Sequence, residues 1–266
     1  MTGRRDADPG MPDGGALLSV GLHGATPHDT IVALAPRLEQ LGFHALWLND
    51  VPGGDSLAGL RVAADVTSRL RLGSGVIPLD RRPASGLDVS ALPADRLTLG
   101  IGAGRGGHPL SRVRDAIDDL SSRTTARIYV GALGPKMRRL GAEKADGVLL
   151  NWLPPAEAEQ AMADLHRDAH DRTVSGAIYV RTIVDAGALP TLKSEASTYE
   201  SFPSYAANFA RLGVTAMQAT IRGREDLAPY LRAVDEVVLR AITPDATRAQ
   251  LEDFVETVAR WRGQLA

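Results

Sequence analysis

The chain has 266 residues and a mass of 28.2 kDa, with 30 Lys and Arg residues against 32 Asp and Glu residues. This length suits either two ordinary domains or one large α/β domain. The charge is nearly balanced and the basic residues are scattered, which argues against binding to nucleic acid or an anionic membrane and favours an enzyme acting on a small molecule. Because the sequence contains no cysteine, disulfides, thiolate nucleophiles, iron–sulfur clusters and cysteine-ligated zinc are excluded.

The first 15 residues are rich in Gly, Asp and Pro and lack the apolar segment of a signal peptide. They predict a short disordered tail. No apolar run approaches the roughly 18 residues that a membrane span requires. We therefore expect a cytoplasmic protein with one domain over residues 16–266.

Eight short apolar runs predict β-strands, and longer amphipathic segments separate them. The predicted strands are Ala16–Leu22, Ala45–Asn49, Leu70–Ile77, Leu97–Ile101, Arg127–Ala132, Gly147–Asn151, Gly176–Asp185 and Glu236–Ile242. The first six intervals between strand starts are 20 to 30 residues, which one strand, one helix and two short loops fill. The last interval is predicted to cross one rim with a helix around Glu195–Leu212, an extra strand at Met217–Ile221 and a short helix near Asp226–Ala233.

Proline and glycine mark the predicted helix boundaries. The first helix is predicted to begin at Thr26-Pro27 and end at Gly42, two others to begin at Pro135 and Pro154-Pro155, and the last to begin at Thr243-Pro244-Asp245. Eight alternations of apolar strands with helices are typical of a parallel sheet covered by helices. A closed (β/α)8 TIM barrel is favoured over an open doubly wound sheet, because no linker interrupts the chain and glycine-rich turns follow several strands.

Two glycine-rich turns follow predicted strands. The first, Gly102-Ala103-Gly104-Arg105-Gly106-Gly107, matches G-x-G-x-x-G, but no acidic residue ends the next strand as in a dinucleotide fold. A tight rim turn and a close approach to a ligand explain it equally well. The second, Gly131–Met137, runs into a helix whose free N–H groups, dipole and lysine form an anion site, although an ordinary turn between strand and helix is the favoured explanation by itself.

Polar residues that follow predicted strands should converge on the C-terminal end of the barrel. His23 follows the first strand and either contacts a ligand or caps its loop; the others are Asn49, Asp50, Arg81, Arg82, Asn151 and Trp152. The spacing of His166 and His170 suits half a metal site, but neighbouring charges favour a solvated helix face. No catalytic triad, carboxylate pair or complete metal set stands out, which suggests that a bound cofactor supplies the chemistry.

Several segments, in this order, resemble the luciferase-like flavin- and deazaflavin-dependent oxidoreductases. They are Leu41–Asp50, Arg71–Leu79, Asp95–Gly104, Gly131–Met137 and Ala145–Trp152. The resemblance implies a (β/α)8 barrel that holds a flavin or the deazaflavin F420 at its C-terminal end. It also implies a bulge with a non-proline cis peptide at Gly75-Val76 behind the ring, a phosphate site at Gly131–Met137, and Asp50 near the ring or its side-chain hydroxyls.

The candidate site therefore consists of backbone turns and a few polar side chains. The predicted cofactor-binding residues are His23, Asp50, Gly75, Val76, Gly102, Gly104, Gly131, Ala132, Leu133, Gly134, Pro135, Lys136, Met137 and Asn151, and the predicted substrate residues are Asn49 and Trp152. No catalytic residue and no metal are assigned.

The resemblance favours hydride transfer between a small organic substrate and bound F420, because Ala132–Met137 and Ala145–Trp152 look closest to the deazaflavin branch. Val51 stands where deazaflavin relatives often have histidine. The chain is also short after Pro78 and after Gly104, which weakens the case for an oxygen intermediate shielded from water. An FMN-dependent monooxygenase supplied by a partner reductase is the close alternative. A non-catalytic flavin- or deazaflavin-binding protein, and a barrel enzyme of unrelated phosphate chemistry, stay open.

The expected partners are a small-molecule substrate, a reductase of flavin or F420, and a second copy of the chain. The resemblance implies a homodimer because relatives commonly pair through helices beside the second and third strands. Leu57, Leu60 and Val66 are interface or core residues there, and the core is favoured.

Overall fold

The computed structural model describes residues 16–264. The predicted disordered tail at 1–15 lies outside the described residues, as do positions 265–266. The strands are β1 Leu17–Leu22, β2 Ala45–Leu48, β3 Arg71–Pro78, β4 Leu97–Gly102, β5 Arg127–Gly131, β6 Gly147–Asn151, β7 Ser175–Thr182, β8 Thr220–Ile221 and β9 Glu236–Ala241. The α-helices are α1 His28–Gln40, α2 Ser56–Asp65, α3 Pro109–Arg123, α4 Pro135–Lys144, α5 Pro155–Ala169, α6 Leu189–Ser201, α7 Pro203–Leu212, α8 Leu227–Ala233 and α9 Arg248–Gly263.

Eight of these strands form a closed parallel barrel. Strands β1 to β7 pair in sequence, β7 pairs with β9, and β9 pairs with β1. The ring closure confirms the predicted (β/α)8 barrel and excludes the open doubly wound sheet. The strand outside this ring, β8, has two residues and pairs with the end of β7 through Thr182 and Ile221. It lies within residues 183–235, the segment between β7 and β9 that we call the rim excursion, and it leaves the ring of eight intact.

The main core lies between the barrel and the helices that cover it. Helix α1 shows why, because its buried residues Ile31, Leu34 and Leu38 recur at helical spacing on one face. Leu57 and Leu60 of α2 are fully buried in the same core, as favoured from the sequence. No helix in residues 16–264 is long and apolar enough to cross a membrane.

Two helix predictions are wrong. The last helix begins at Arg248, because Thr247 is its N-cap, while Thr243 accepts a hydrogen bond from the Ala246 amide at 3.0 Å and so forms a separate turn before it. The helix expected over Glu195–Leu212 is two helices, α6 and α7, because proline disfavours helical backbone at the residue before it. Phe202 is accordingly extended, and Pro203 begins the new helix.

The predicted alternation of strand and helix also fails between β3 and β4. Residues 79–96 contain a short 3₁₀ turn, Ala84–Gly86, and no α-helix. Pro83 and Pro93 restrict the backbone at both ends of this stretch. Arg123 of α3 holds the segment in place by donating hydrogen bonds to the carbonyl oxygens of Ala84 and Leu87, at 2.5 and 3.1 Å.

A buried carboxylate organises the interior at the N-terminal end of the barrel. Glu236 Oε1 accepts hydrogen bonds from Ser19 Oγ at 2.6 Å and from Trp47 Nε1 at 2.7 Å.

Replacing Glu236 by alanine leaves both donors buried without an acceptor, so we expect the free energy of unfolding to fall by about 2 kcal/mol. Urea unfolding measures the loss. Glu236→Gln keeps an acceptor and should lose less than half as much; identical stability of both variants and the native chain would contradict this account.

Candidate active site at the barrel mouth

The C-terminal ends of the barrel strands bring the predicted candidates to one mouth. His23 follows β1, Asn49 and Asp50 follow β2, the Gly131–Met137 turn follows β5, and Asn151 ends β6. In barrels of this type the mouth is where active sites are built. Their convergence on one rim is therefore as expected, although contact of each residue with a cofactor stays a prediction.

The turn between β5 and α4 has free amide groups and open space. Gly134 is the N-cap of α4 and Pro135 its first residue. Met137 N donates to the Gly134 carbonyl, whereas the amides of Leu133, Gly134 and Lys136 have no acceptor among the residues that the structure describes. A Cβ at Gly134 would meet no atom within 4 Å. A helix N-terminus with unpaired amides suits an anion, so we call these residues, 132–137, the anion cradle.

Arg138 stabilises the anion cradle through a hydrogen bond to the Leu133 carbonyl. Its side chain is buried, donates from Nη1 to the Leu133 carbonyl at 3.3 Å, and has Nη2 3.8 Å from Asp164 Oδ2. Burial lowers the pKa of Arg138, and Asp164 opposes this shift. The sequence did not single out Arg138, whereas Lys136, which it did, is exposed and free to reach an anion at the turn.

The β3 bulge implied by the family resemblance is confirmed. The register between β3 and β4 shifts between Ser74 and Ile77, and the Gly75-Val76 peptide is cis. Val76 points toward β4 and β5, where a Cβ on Gly102 would lie 2.7 Å from Val76 Cγ2 and one on Gly131 would lie 3.0 Å from Val76 Cγ1. These two glycines therefore make room for the Val76 side chain.

The glycine-rich loop after β4 is fixed by side chains of this chain. Gly104 has a φ of +68°, and a Cβ there would lie 1.8 Å from Asp80 Oδ1. Asp80 Oδ2 accepts from the Arg105 amide at 3.0 Å, and Arg112 donates to the carbonyls of Ala103 and Arg105, both at 2.8 Å. A tight rim turn therefore accounts for the G-x-G-x-x-G match, and contact of Gly104 with a cofactor stays a prediction.

Asp50 is buried, and its carboxylate is already well supplied with donors. Oδ1 accepts from Arg81 at 2.8 Å, and Oδ2 accepts from Arg82 at 2.5 Å and from Ser56 Oγ at 2.9 Å. These bonds tie the loops after β2 and β3 to the start of α2. The structure thus gives Asp50 a positioning role that the sequence did not indicate.

Asp55 caps α2 and pairs with Arg82. Its Oδ1 accepts from the amides of Leu57 and Ala58 at 3.0 and 3.2 Å and from Arg82 Nη1 at 2.9 Å. Burial opposes ionisation, but the Ala58 amide and the Arg82 guanidinium outweigh it and lower the pKa of Asp55. Because the pKa is lower in the folded state, this stabilisation is present above the ordinary aspartate pKa and is lost as the pH falls through the folded value.

We therefore expect Asp55→Ala to lower the free energy of unfolding by about 1 kcal/mol at neutral pH, the usual value of an N-cap. The loss should shrink as the pH falls from 7 to 3, because the Asp55 carboxylate of the unfolded chain binds a proton at a higher pH than that of the native chain. Urea unfolding across this range measures both effects. An equal loss at every pH would show that the charge of Asp55 does not matter.

A buried ion cluster lies at the mouth beside β7 and β9. Arg181 and Arg240 are 3% and 5% exposed and are register partners on these strands. Arg181 Nε donates to Glu195 Oε1 at 2.8 Å, and Arg240 Nη2 lies 4.0 Å from Glu195 Oε2. Burial of the Glu195 carboxyl opposes its ionisation, yet Arg181 and Arg240 hold its pKa below the ordinary glutamate value. The cluster therefore carries two guanidinium groups and one carboxylate.

Aromatic side chains from the end of β6 and from the helices α6 and α7 cover this cluster. The Arg181 guanidinium carbon lies 4.2 Å from the centroid of the Trp152 ring and 4.6 Å from that of Tyr199 in α6. Arg181 Nη1 also donates to Asn151 Oδ1, and Asn151 Nδ2 donates to the Tyr205 hydroxyl at 3.3 Å. Trp152, a predicted substrate residue, is 1% exposed and packs in this cluster, so its contact with a substrate stays a prediction.

His23 is exposed at the rim, and its Nδ1 accepts from the Ala25 amide at 3.2 Å. Partial burial of the ring and the Arg240 charge lower the pKa of His23, with Glu195 opposing them. A lowered pKa favours the neutral ring, and because Nδ1 accepts a hydrogen bond, the proton of the neutral ring is assigned to Nε2. Asn49 Oδ1 accepts from the Gly24 amide at 3.0 Å and so fixes the loop after β1.

His166 and His170 do not form a helical pair. Both are exposed, as favoured, but α5 ends at Ala169 and His170 has a φ of +53°, outside the helix. Among residues 16–264 no group of three or more His, Asp or Glu side chains is arranged to hold a metal ion. A groove of about 540 Å³ lies away from the mouth, between 87–94 and 121–125.

The chain belongs to the luciferase-like monooxygenase family, whose model matches residues 16–124 and 111–261. It is 29% identical over 167 residues to a 5,10-methylenetetrahydromethanopterin reductase of Archaeoglobus fulgidus, covering 48% of this chain and 50% of that protein. It is 28% identical over 137 residues to a putative coenzyme F420-dependent oxidoreductase of Mycobacterium tuberculosis, covering 46% and 40%. The chain thus spans about half the length of the curated relatives it matches.

Solved structures of low identity share the fold. The coenzyme F420-dependent tetrahydromethanopterin reductase from Methanopyrus kandleri superposes with a TM-score of 0.66 at 18% identity, over 92% of this chain and 98% of that one. The FMN complex of the oxygenating constituent of 3,6-diketocamphane monooxygenase from Pseudomonas putida gives 0.67 at 10% identity, over 92% and 97%.

Proposed function

We propose that this protein is an F420-dependent oxidoreductase that transfers hydride between the bound deazaflavin and a small organic substrate. The observation that carries the proposal is the anion cradle, where the amides of Leu133, Gly134 and Lys136 lack acceptors and the position beside Gly134 is open. These donors at the helix N-terminus would be satisfied by a cofactor phosphate. Two relatives add support, because one is named as a 5,10-methylenetetrahydromethanopterin reductase and the other as a putative coenzyme F420-dependent oxidoreductase.

The bound deazaflavin would supply the ring atom that accepts or gives up hydride. The chain's own residues would bind and orient it: the anion cradle would hold the phosphate, and Lys136 would add a positive charge. We assign Gly75 and Val76, at the bulge, to one face of the ring. His23 carries its proton on Nε2 and is assigned to donate this N–H as a hydrogen bond to a substrate oxygen.

An FMN-dependent monooxygenase, supplied with reduced flavin by a partner reductase, is the second candidate. The observation in its favour is Val51, an apolar residue after Asp50 that gives the ring no polar contact. The anion cradle suits the phosphate of either cofactor. Binding without turnover would instead identify a non-catalytic carrier of flavin or deazaflavin.

Turnover separates these candidates. Reduced F420 is mixed anaerobically with the protein and a panel of aldehydes, ketones and imines, and reappearance of the oxidised deazaflavin absorbance is followed. The proposal expects substrate-dependent oxidation that stops when the protein is omitted. Tight binding of F420 with no oxidation across the panel would contradict the hydride transfer, and oxidation only by FMN with oxygen would favour the monooxygenase.

A further inference from the structure

We propose that the mouth holds a second anion site, built from Arg240, Tyr179 and His23, that binds a carboxylate. The assignment of this carboxylate to the substrate rests on the proposed function. The existence of the site follows from the charges, hydrogen bonds and strand register of the described residues.

The first argument is an imbalance of buried charge. Arg181 is well partnered, because it donates to Glu195 and Asn151 and stacks on Trp152. Arg240 is 5% exposed, but within the described part of the chain its Nη1 bonds only to the neighbouring Ala241 carbonyl, and its Nη2 is 4.0 Å from the shared carboxylate. Two buried guanidinium groups against one carboxylate leave a positive charge that is costly without a counter-ion. A second anion beside Arg240 removes that cost.

The second argument is an unpaired hydroxyl beside the same strands. Tyr179 is 3% exposed, and its hydroxyl has no hydrogen-bond partner among residues 16–264. A Cβ on Gly21 would lie 2.6 Å from Tyr179 Oη, so the phenol reaches across to β1. Gly21 is the register partner of Arg240. The hydroxyl therefore lies next to β9, which carries Arg240, and β1, which His23 follows. Buried polar groups are nearly always paired in native proteins, so an acceptor is missing here.

The third argument is that these donors match one ligand group. Arg240 and Tyr179 offer N–H and O–H donors, and neutral His23 offers its Nε2–H. A carboxylate accepts several charge-assisted hydrogen bonds at once, whereas a neutral ligand leaves the guanidinium charge unbalanced.

The position of this site separates it from the anion cradle. In the closed order of eight strands, β5 is four strands away from β1 and three from β9. The anion cradle follows β5, whereas Arg240 and His23 are on β9 and after β1. One phosphate cannot satisfy both sites, so the carboxylate belongs to a molecule, or a part of one, on the other side of the mouth.

Calorimetry and thermal unfolding at constant ionic strength test the inference. The probes are the pairs benzoate and benzamide, and acetate and acetamide, each added to protein with and without bound cofactor. We expect a carboxylate, and not its amide, to raise the melting temperature. Arg240→Gln should raise the carboxylate dissociation constant at least tenfold and Tyr179→Phe several-fold. The matched control is Arg248→Gln, an exposed arginine paired with Glu252 on α9, which should leave it unchanged.

The same experiment distinguishes a counter-ion site from a purely structural arginine. Without ligand, Arg240→Gln should unfold no earlier than the native chain, because it removes an unbalanced charge; if it fails to fold, Arg240 is structural and the inference is wrong. Equal stabilisation by carboxylate and amide, or undiminished carboxylate binding in Arg240→Gln, would also overturn it.

Titration with inorganic phosphate shows which anion the site takes. Phosphate binding that is lost in Arg240→Gln but kept in Gly134→Glu would assign this site to the cofactor phosphate instead.

Failure of the proposed function gives a different result. Carboxylate binding that depends on Arg240, in a protein that binds neither F420 nor FMN, would support the anion site and overturn the proposed function. Normal F420 binding with no preference for carboxylates would overturn the anion site alone.

Discussion

Replacing Gly134 by glutamate is expected to weaken F420 binding by about 100-fold, or ~2.7 kcal/mol, while the barrel stays folded. Gly134 has a φ of −110°, which any residue adopts, and no atom lies within 4 Å of a Cβ built there. The new carboxylate would sit at the free amides of the anion cradle and repel a phosphate. Its effect should therefore fall on binding and not on folding.

The matched control for this variant is Gly86→Glu. Gly86 is exposed in the 3₁₀ turn between β3 and β4, and a Cβ there also meets no atom within 4 Å. Fluorescence titration with F420 gives the dissociation constants, and circular dichroism with thermal unfolding checks the fold. Unchanged affinity in a folded Gly134→Glu protein would remove the turn after β5 from the cofactor site.

Replacing Arg181 by alanine is expected to lower the free energy of unfolding by about 3 kcal/mol, the low end for breaking a buried ion pair. The low end is chosen because the Glu195 side chain is still 24% exposed. The change also removes the stacking of the guanidinium on Trp152 and Tyr199. Because Arg181 joins β7 to α6, the rim excursion should open before the barrel does.

Urea unfolding of Arg181→Ala, Glu195→Gln and the double variant measures the coupling between the two side chains. We expect the double variant to lose clearly less than the sum of the single losses. Limited proteolysis should cut within residues 189–212 first. Arg248→Ala, which breaks an exposed pair on α9, is the control and should leave stability unchanged. Strict additivity, with no new cleavage in α6 or α7, would show that this ion pair does not hold the rim excursion.

Local sequence signals were enough to predict the barrel and the helix start at Gly134-Pro135, whereas an anion site at that turn was favoured only through the family resemblance. Strand spacing and apolar runs determine which segments form the ring, and a glycine followed by proline at Gly134-Pro135 is a local helix start. The bulge at Gly75-Val76 followed from the family resemblance. These features depend on neighbouring residues or on a family pattern, and each can therefore be predicted from a single sequence.

The ion cluster was not predicted, because it depends on contacts that are distant in the chain. Arg181 and Arg240 become neighbours only through the pairing of β7 with β9, and Glu195 reaches them only because α6 folds back over the mouth. A usable signal was present: each arginine is two positions beyond an inward-facing apolar residue, Tyr179 or Val238, in a buried strand. A charge on that face near the end of a barrel strand indicates a functional mouth.

Asp50 illustrates a different case, in which a residue that lies at the mouth, as predicted, is already bonded to side chains of the next loop. The resemblance implied a place near the cofactor ring, whereas Arg81 and Arg82 supply donors to its carboxylate from the next loop. Partners about 30 residues away are brought together by the barrel register and not by sequence proximity. Its polar side chain is therefore committed to joining two loops, and a cofactor would share it with them.

The most direct test of the central claim is a titration of the purified protein with F420 and, separately, with FMN, followed by cofactor fluorescence and thermal unfolding. We expect F420 to bind specifically and, at 100 times its dissociation constant, to stabilise the fold by about 2.7 kcal/mol. Stronger binding of FMN would favour the monooxygenase. If neither cofactor binds below millimolar concentration, the proposal that this barrel is a deazaflavin or flavin enzyme is wrong.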